Sequence, residues 1–372
     1  MMATKMPIIS ITGPRQSGKT TLAKKCFPSY SYVNLENPDT LADAQSDPRL
    51  FLSRHTNGLI IDEVQLFPEL FSYIQTISDE NNRAGEFILT GSQNFLLSAK
   101  ISQSLAGRVF VTHLLPFSCS ELRQFYPLED PSIQIYQGFY PRVYSNEIPP
   151  ELFYPSYIQT YTERDVRQII NVTNLAIFQK FMRIVAGRVG QMLNYSSIAV
   201  EVGVEQKTIK SWISLLQASF VVFLLHPHYQ NFTKRLTKTP KLYFYDTGLA
   251  CSLLGINRRQ DVDIHWAKGA LFENLVIADI IKNFYNRVEQ TPLFYWRDNT
   301  GNEIDCIIDR GGELKAVEIK SSKTIHPDFF KGLNYYKNLN TVAHPYLIYG
   351  GDMGFKRREA TIISWKDTQQ LI

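Results

Sequence analysis

Apolar and polar positions change period along the chain, and the changes mark out elements. Residues 7–12 (PIISIT), 32–36, 58–62, 86–92 and 109–115 are short apolar or β-branched runs bounded by glycine, proline or polar residues. Runs of this kind predict strands, buried on both faces where a sheet is parallel. The stretches between them read as helices. They cover 21–26, stopped by Pro28, the polar stretch 40–52, residues 68–81 and residues 95–106, ended by Gly107. Within 68–81, Leu70, Phe71, Ile74 and Ile77 recur at helical spacing. Strands alternating with helices predict an α/β domain.

Further on the pattern changes character. Residues 121–167 are aromatic and mixed, with a turn over 138–142 and a charged amphipathic helix over 154–170. Short helices over 196–201 and 206–218 flank a turn at 202–204. The second carries Ile209, Trp212, Ile213 and Leu216 on one face. Two strands, 220–225 and 241–245, follow around a basic, polar loop, which is the pattern of a winged helix-turn-helix. A helix over 268–283 then precedes strands at 293–297, 303–309 and 314–320, with glycine turns at 301–302 and 311–312. The expected division is a first α/β domain (1–120), a helical connector (121–175), a winged helix (176–246) and a second, smaller α/β domain (247–372).

Composition narrows the class only slightly. With 372 residues, 44% hydrophobic and 20% charged, the chain can bury a real core in two or three domains. A net charge of +4 admits nucleic acid as a partner without arguing for it. The four cysteines, Cys26, Cys119, Cys251 and Cys306, form no C-x-x-C pair. Buried, reduced thiols and a cytoplasmic location are expected. No signal-peptide core opens the chain, and 220–225 is too short to span a bilayer, so no membrane partner is expected.

The sharpest chemistry lies at Gly13-Pro14-Arg15-Gln16-Ser17-Gly18-Lys19-Thr20, which reads G-x-x-x-x-G-K-[ST] between a strand and a helix. Such a loop turns backbone N–H groups and a helix N-terminus toward phosphate. Gly13 through Thr21 are therefore the candidate ATP-binding residues. Lys19 would reach the β- and γ-phosphates and the Thr20 hydroxyl would ligate Mg²⁺. The run Leu59-Ile60-Ile61-Asp62-Glu63 ends a strand in two carboxylates. Asp62 can hold the Mg²⁺ shell and Glu63 can act as general base on water. Thr90 and Ser92, at the end of the 86–92 strand, can sense the γ-phosphate or position water. Arg108 and Arg15 are candidates for the cation that phosphoryl transfer needs, and His113 reads as structural.

Taken together, GPRQSGKTTL, LIIDEVQ, FILTGS, SLAGRV, LLPFSCSEL and GFYPRV resemble a prokaryotic family of AAA-type P-loop ATPases. The resemblance implies an ASCE-type sheet with the Thr90 strand between the P-loop strand and the strand ending in Asp62. It also implies the roles just given to Lys19, Thr20, Asp62 and Glu63. The stretch YIQTYTERDVR resembles the segment that joins this ATPase to its C-terminal part.

In the helix-turn-helix, Lys207 and Lys210 would project from the second helix, and Lys234, Arg235 and Lys238 would sit on the wing, where they could meet DNA phosphates. No set of side chains suited to base readout is present, so DNA binding without sequence specificity is expected. In the last domain, strand alternation puts Glu318 and Lys320 on one face, with Asp305 on the neighbouring strand. Carboxylates with a lysine suit metal-dependent phosphodiester hydrolysis. This set, with Glu273 on the preceding helix, resembles the PD-(D/E)xK nuclease family, which implies Mg²⁺ on Asp305 and Glu318. Ile304 stands where that signature has proline. Two functions follow as expectations. One is a Mg²⁺-dependent ATP hydrolase whose nucleotide state controls a DNA-directed C-terminal domain. The other is a nucleotide-switched binding module, for DNA or a protein, with an inactive nuclease-like domain. An arginine supplied in trans would require a homo-oligomer.

Overall fold

The computed structural model describes residues 2–92, 105–166, 175–228 and 238–372. The helix expected over 95–106 lies almost wholly outside them, as do Lys234 and Arg235. Contacts divide the chain into two units, Met1–Leu115 with Ala218–Phe220, and Pro116–Gln217 with Val221–Ile372.

The first unit is a five-stranded sheet in the order β2-β3-β4-β1-β5. Its strands are β1 (Ile8–Thr12), β2 (Ser31–Asn34), β3 (Leu59–Asp62), β4 (Phe87–Gly91) and β5 (Val109–His113), and every pairing is parallel. The β4 strand, which ends in Thr90 and Gly91, lies between β1 and β3 as expected. Both faces are covered. Ile9, Ile11, Ile60 and Ile88 pack on one side with Ala23, while Ile8, Leu59, Ile61, Phe87 and Leu89 face a larger cluster with Phe71 and Ile74. That double burial is why these strands read as continuous apolar runs. The helices are α1 (Lys19–Cys26), α2 (Pro38–Ser46), α3 (Pro48–Ser53) and α4 (Leu70–Asn81). The single helix expected over 40–52 is two. Pro48 cannot donate to the turn before it, and Asp47 caps α3 by accepting from Leu50 N at 2.9 Å.

The second unit opens with α5 (Cys119–Leu122), α6 (Pro131–Gln137), α7 (Pro141–Ser145) and α8 (Pro150–Thr160). The helix expected over 154–170 continues only as a π turn, Tyr161–Val166, before the described residues break off. Next come α9 (Leu175–Ala186), α10 (Tyr195–Val202) and α11 (Gln206–Ala218). Phe178, Phe181 and Trp212 join α9 to α11, with ring centroids 5.1–5.4 Å apart. The antiparallel pair β6 (Val222–Leu225) and β7 (Lys241–Phe244) follows, and β7 bridges back to Met192. Helices α12 (Thr247–Leu253) and α13 (Arg259–Ile264) lead to the long α14 (Lys268–Asn286).

The last sheet has six strands in the order β12-β13-β11-β10-β9-β8. Strands β8 (Leu293–Arg297), β9 (Glu303–Asp309) and β10 (Leu314–Lys320) form the expected antiparallel meander. Helix α15 (Lys331–Leu339) crosses over to β11 (Ala343–Tyr349), which runs parallel to β10. Strands β12 (Phe355–Lys356) and β13 (Thr361–Ser364) complete the sheet.

A buried polar network on α14 explains the motif LLPFSCSEL. Asp279 accepts from Cys119 N at 2.6 Å and from the Thr368 hydroxyl. Ser120 Oγ donates to Asn283 Oδ1 at 2.8 Å, and Lys282 Nζ donates to Phe117 O at 3.1 Å. Ser118 and Glu121 close a capping box on α5. Polar residues of 116–122 thus pin that segment to α14. Burial pushes the Asp279 carboxyl up and the Lys282 ammonium down from their ordinary values, each moderated by the other's charge.

Candidate functional site

The P-loop turns at two glycines. A Cβ on Gly13 would come within 2.0 Å of Leu114 O, and Gly18 takes a left-handed φ of 97° at the N-cap of α1. A helix leaves its first N–H groups without a carbonyl from its own turn. Here they belong to Lys19, Thr20 and Thr21 and can be taken by phosphate oxygens. The Lys19 ammonium turns back on the loop, donating to Gly13 O at 2.9 Å and Pro14 O at 2.7 Å.

Parallel pairing brings the P-loop and the end of β3 to one edge. Thr20 Oγ1 donates to Asp62 Oδ2 at 2.7 Å. Asp62 also accepts from Tyr32 Oη on Oδ2 at 2.9 Å, and on Oδ1 from Thr90 Oγ1 and, at 3.2 Å, from Glu63 N. Glu63 follows with φ 53°, a left-handed value that costs a residue with a Cβ. Its Oε2 accepts from Gln65 Nε2 and, at 3.0 Å, from Ser92 Oγ. Thr90 and Ser92 therefore hold the two carboxylates. The chemistry of the set suits Mg²⁺: a hydroxyl whose proton is already committed to a carboxylate offers its lone pairs outward.

The two arginines fall at different places. Arg15 Nη1 lies 3.4 Å from Glu36 Oε1, just beyond β2, at the P-loop edge. Arg108 is not brought there. It precedes Val109, which pairs with Ile8 at the start of β1, whereas the P-loop follows Thr12. Four residues of strand separate the two, about 13 Å, and Arg108 is bound to Asp79 through Nε at 2.5 Å and Nη2 at 2.9 Å. His113 Nδ1 lies 2.7 Å from Thr12 Oγ1. Cys26, expected inside, ends α1 and is exposed, while Cys119, Cys251 and Cys306 are buried free thiols.

In the second unit, the β9–β10 register sets Asp305 beside Glu318 and Ile319. Asp305 Oδ2 accepts from Ile319 N at 2.8 Å. Lys320 Nζ lies 2.5 Å from Glu318 Oε1 and 3.7 Å from Asp305 Oδ2. Glu318 Oε2 is buried with no hydrogen-bond partner. Burial first, and Asp305 second, outweigh the Lys320 charge and push Glu318 up to about 8. Glu273 on α14 is pushed up to about 7, again by burial and then Asp305. For Lys320, burial pulls downward, but Asp305 and Glu318 prevail and the ammonium is held above its ordinary value. Neither Lys241 nor Tyr243 stands out in the strand pattern of 241–245. Lys241, 3% exposed on β7, pairs with Glu273 at 3.2 Å and with Glu303, and Tyr243 Oη donates to Glu273 Oε1 at 2.5 Å. Among the described residues, no group of three or more His, Cys, Asp or Glu side chains is placed to hold a metal ion.

The sign of the pH effect follows. Both acids have pKa values above their ordinary 4.5, so the folded state holds more protons than the unfolded chain between about 4.5 and 8. Their contribution is full below the unfolded pKa and is lost as pH rises through about 7 and 8. Denaturant midpoints of the second unit should therefore fall from pH 5 to pH 8, and Glu318→Gln should flatten the slope. A midpoint that rises over this range in the wild type would contradict the assignment.

Lys207 and Lys210 are exposed on α11, the latter 5.8 Å from the Tyr195 ring, and Lys238 is exposed just before β7. No helix among the described residues is long and apolar enough to cross a membrane.

The fold and loop define an AAA-type P-loop domain, and comparison with known proteins agrees. Residues 5–123 match a family model described as an AAA domain. Residues 129–260 and 268–367 match two models described as domains of unknown function, DUF8612 and DUF4143. An uncharacterized protein of Mycobacterium tuberculosis is 31% identical over 325 residues, covering 86% of this chain and 71% of its own. One from Methanocaldococcus jannaschii is 23% identical over 337 residues, with 80% and 71% covered. The chain belongs to the family of AAA-domain proteins that includes the mycobacterial relative. A solved signal-transduction ATPase with a tetratricopeptide repeat sensor, from Pyrococcus horikoshii, aligns with 77% of this chain and 44% of its own at 12% identity. Its TM-score of 0.23 is too low to argue from.

Proposed function

We propose that the chain hydrolyses ATP with Mg²⁺ at the edge shared by the P-loop and β3, and that its nucleotide state controls a DNA-directed second unit. The observation that carries the first part is the 2.7 Å hydrogen bond from Thr20 on the P-loop helix to Asp62. Thr20 would offer its oxygen to the metal, and Asp62 would act through Thr20. When bound, Mg²⁺ spreads the charge on the phosphate oxygens. Lys19 leaves its loop carbonyls for the phosphates, and Arg15 is the arginine at hand. Glu63, aligned by Ser92 and Gln65, takes the proton of the attacking water. The water oxygen bonds to the γ-phosphorus, and the bridging oxygen departs with its electron pair.

The packing of α9, α10 and α11 with β6 and β7 supports a winged helix, with Lys207, Lys210 and Lys238 available to phosphates. The contact of Lys320 with Glu318 and Asp305, beside Glu273, supports a PD-(D/E)xK-like site in which Asp305 and Glu318 would hold the metal. The rival reading, a nucleotide-switched binding module without cleavage, is favoured by one observation: Lys241 and Tyr243 already occupy Glu273. Phosphate release measured with and without double- and single-stranded DNA, followed by a gel of the DNA, separates the two. DNA-stimulated turnover with Mg²⁺-dependent nicking, lost in Asp305→Asn and Lys320→Ala, is expected of the first. Turnover indifferent to DNA, with the DNA intact, supports the second.

A further inference from the structure

The Asp62 carboxylate has a fourth donor that the P-loop chemistry does not account for. Tyr32 lies on β2 opposite Ile60, and its hydroxyl reaches Asp62 Oδ2 at 2.9 Å, the oxygen that also accepts from Thr20. The ring is itself held. Thr20 and Lys24 are four residues apart and so share a face of α1. Lys24 Nζ sits 3.4 Å from the Tyr32 ring centroid, within cation–π range. One face of α1 thus touches Asp62 twice, through Thr20 and through the Lys24–Tyr32 pair.

A carboxylate offers about four lone-pair sites. On Asp62, Thr20 and Tyr32 fill Oδ2, and Thr90 and Glu63 N fill Oδ1. With every site taken, Asp62 can approach a metal directly only by dropping a donor. It is fixed in one rotation, in which it draws the Thr20 proton and leaves the Thr20 lone pairs for the cation. We propose that Tyr32, steadied by Lys24, is a positioning residue that locks Asp62 as the outer-shell partner of Thr20 and so sets the affinity for Mg²⁺. The proposal rests on the Mg²⁺–ATP reading of this site.

Tyr32→Phe keeps the ring, its packing and the Lys24 contact, and removes only the hydroxyl. The full-length chain and the variant are titrated with a fluorescent ATP analogue, in EDTA and at increasing Mg²⁺. Affinity in EDTA should be unchanged. The Mg²⁺ concentration for half-maximal tightening should rise about tenfold, the usual scale for loss of an outer-shell partner. Lys24→Met, which leaves the hydroxyl but frees the ring, should move it the same way by about threefold. A Tyr32→Phe curve superimposed on the wild-type Mg²⁺ curve overturns the inference while leaving the nucleotide site intact. A wild-type chain that binds no analogue in either condition overturns the nucleotide reading, and this proposal with it.

Discussion

Glu63→Gln is expected to lower steady-state ATP turnover by about 10²–10⁴-fold, the range for removing a general base, while leaving ATP affinity close to wild type. Glutamine keeps the shape of the side chain and an acceptor for the Ser92 hydroxyl, which lies 3.0 Å from Glu63. What it loses is the ability to take a proton. The backbone there sits at φ 53°, a value held by the surrounding structure, so an isosteric change should not release it. Phosphate release and binding of a fluorescent analogue, measured side by side, check both halves. Turnover within threefold of wild type would place the base elsewhere and return the site to a slow switch.

The second large effect is on folding. Asp279→Ala should cost the second unit about 3–5 kcal/mol, as when one partner is removed from a buried charged network. Asp279 is fully buried and accepts from Cys119 N, the Thr368 hydroxyl and Asn283 Nδ2. Alanine would strand these donors and take from the buried Lys282 one of the carboxylates that offset its burial, leaving Asp246 and, more weakly, Glu121. Asp279→Asn keeps an acceptor oxygen and should cost less, about 1–3 kcal/mol. Denaturant midpoints of the second unit measure both. A loss under 1 kcal/mol for the alanine variant would mean that apolar packing alone holds segment 116–122.

What could be read from the sequence was what is local in the chain. The P-loop and the Asp62-Glu63 pair are contiguous motifs, and a parallel strand's end is fixed by its direction, so both fell at the same edge. The same rule could have removed Arg108, since a residue that precedes a parallel strand sits at the opposite edge from one that follows it. The split between α2 and α3 was also present in Asp47-Pro48. Tyr32, Lys241 and Tyr243 were not legible. Each acts on a carboxylate about 30 residues away, and nothing in strand periodicity says which side chain a tyrosine or lysine will meet. The face shared by Glu318 and Lys320 followed from alternation, but the burial that raises Glu318 depends on packing across the whole second unit.

The most direct measurement is phosphate release by the purified chain and by Lys19→Ala at saturating ATP and Mg²⁺. The Lys19 ammonium, which donates to Gly13 O and Pro14 O, is the group assigned to the β- and γ-phosphates. The wild type should turn over ATP at a rate well above the variant, and chelating Mg²⁺ should bring the two together. Equal rates in the two proteins would mean that the observed hydrolysis does not arise at this P-loop, and would contradict the site as assigned.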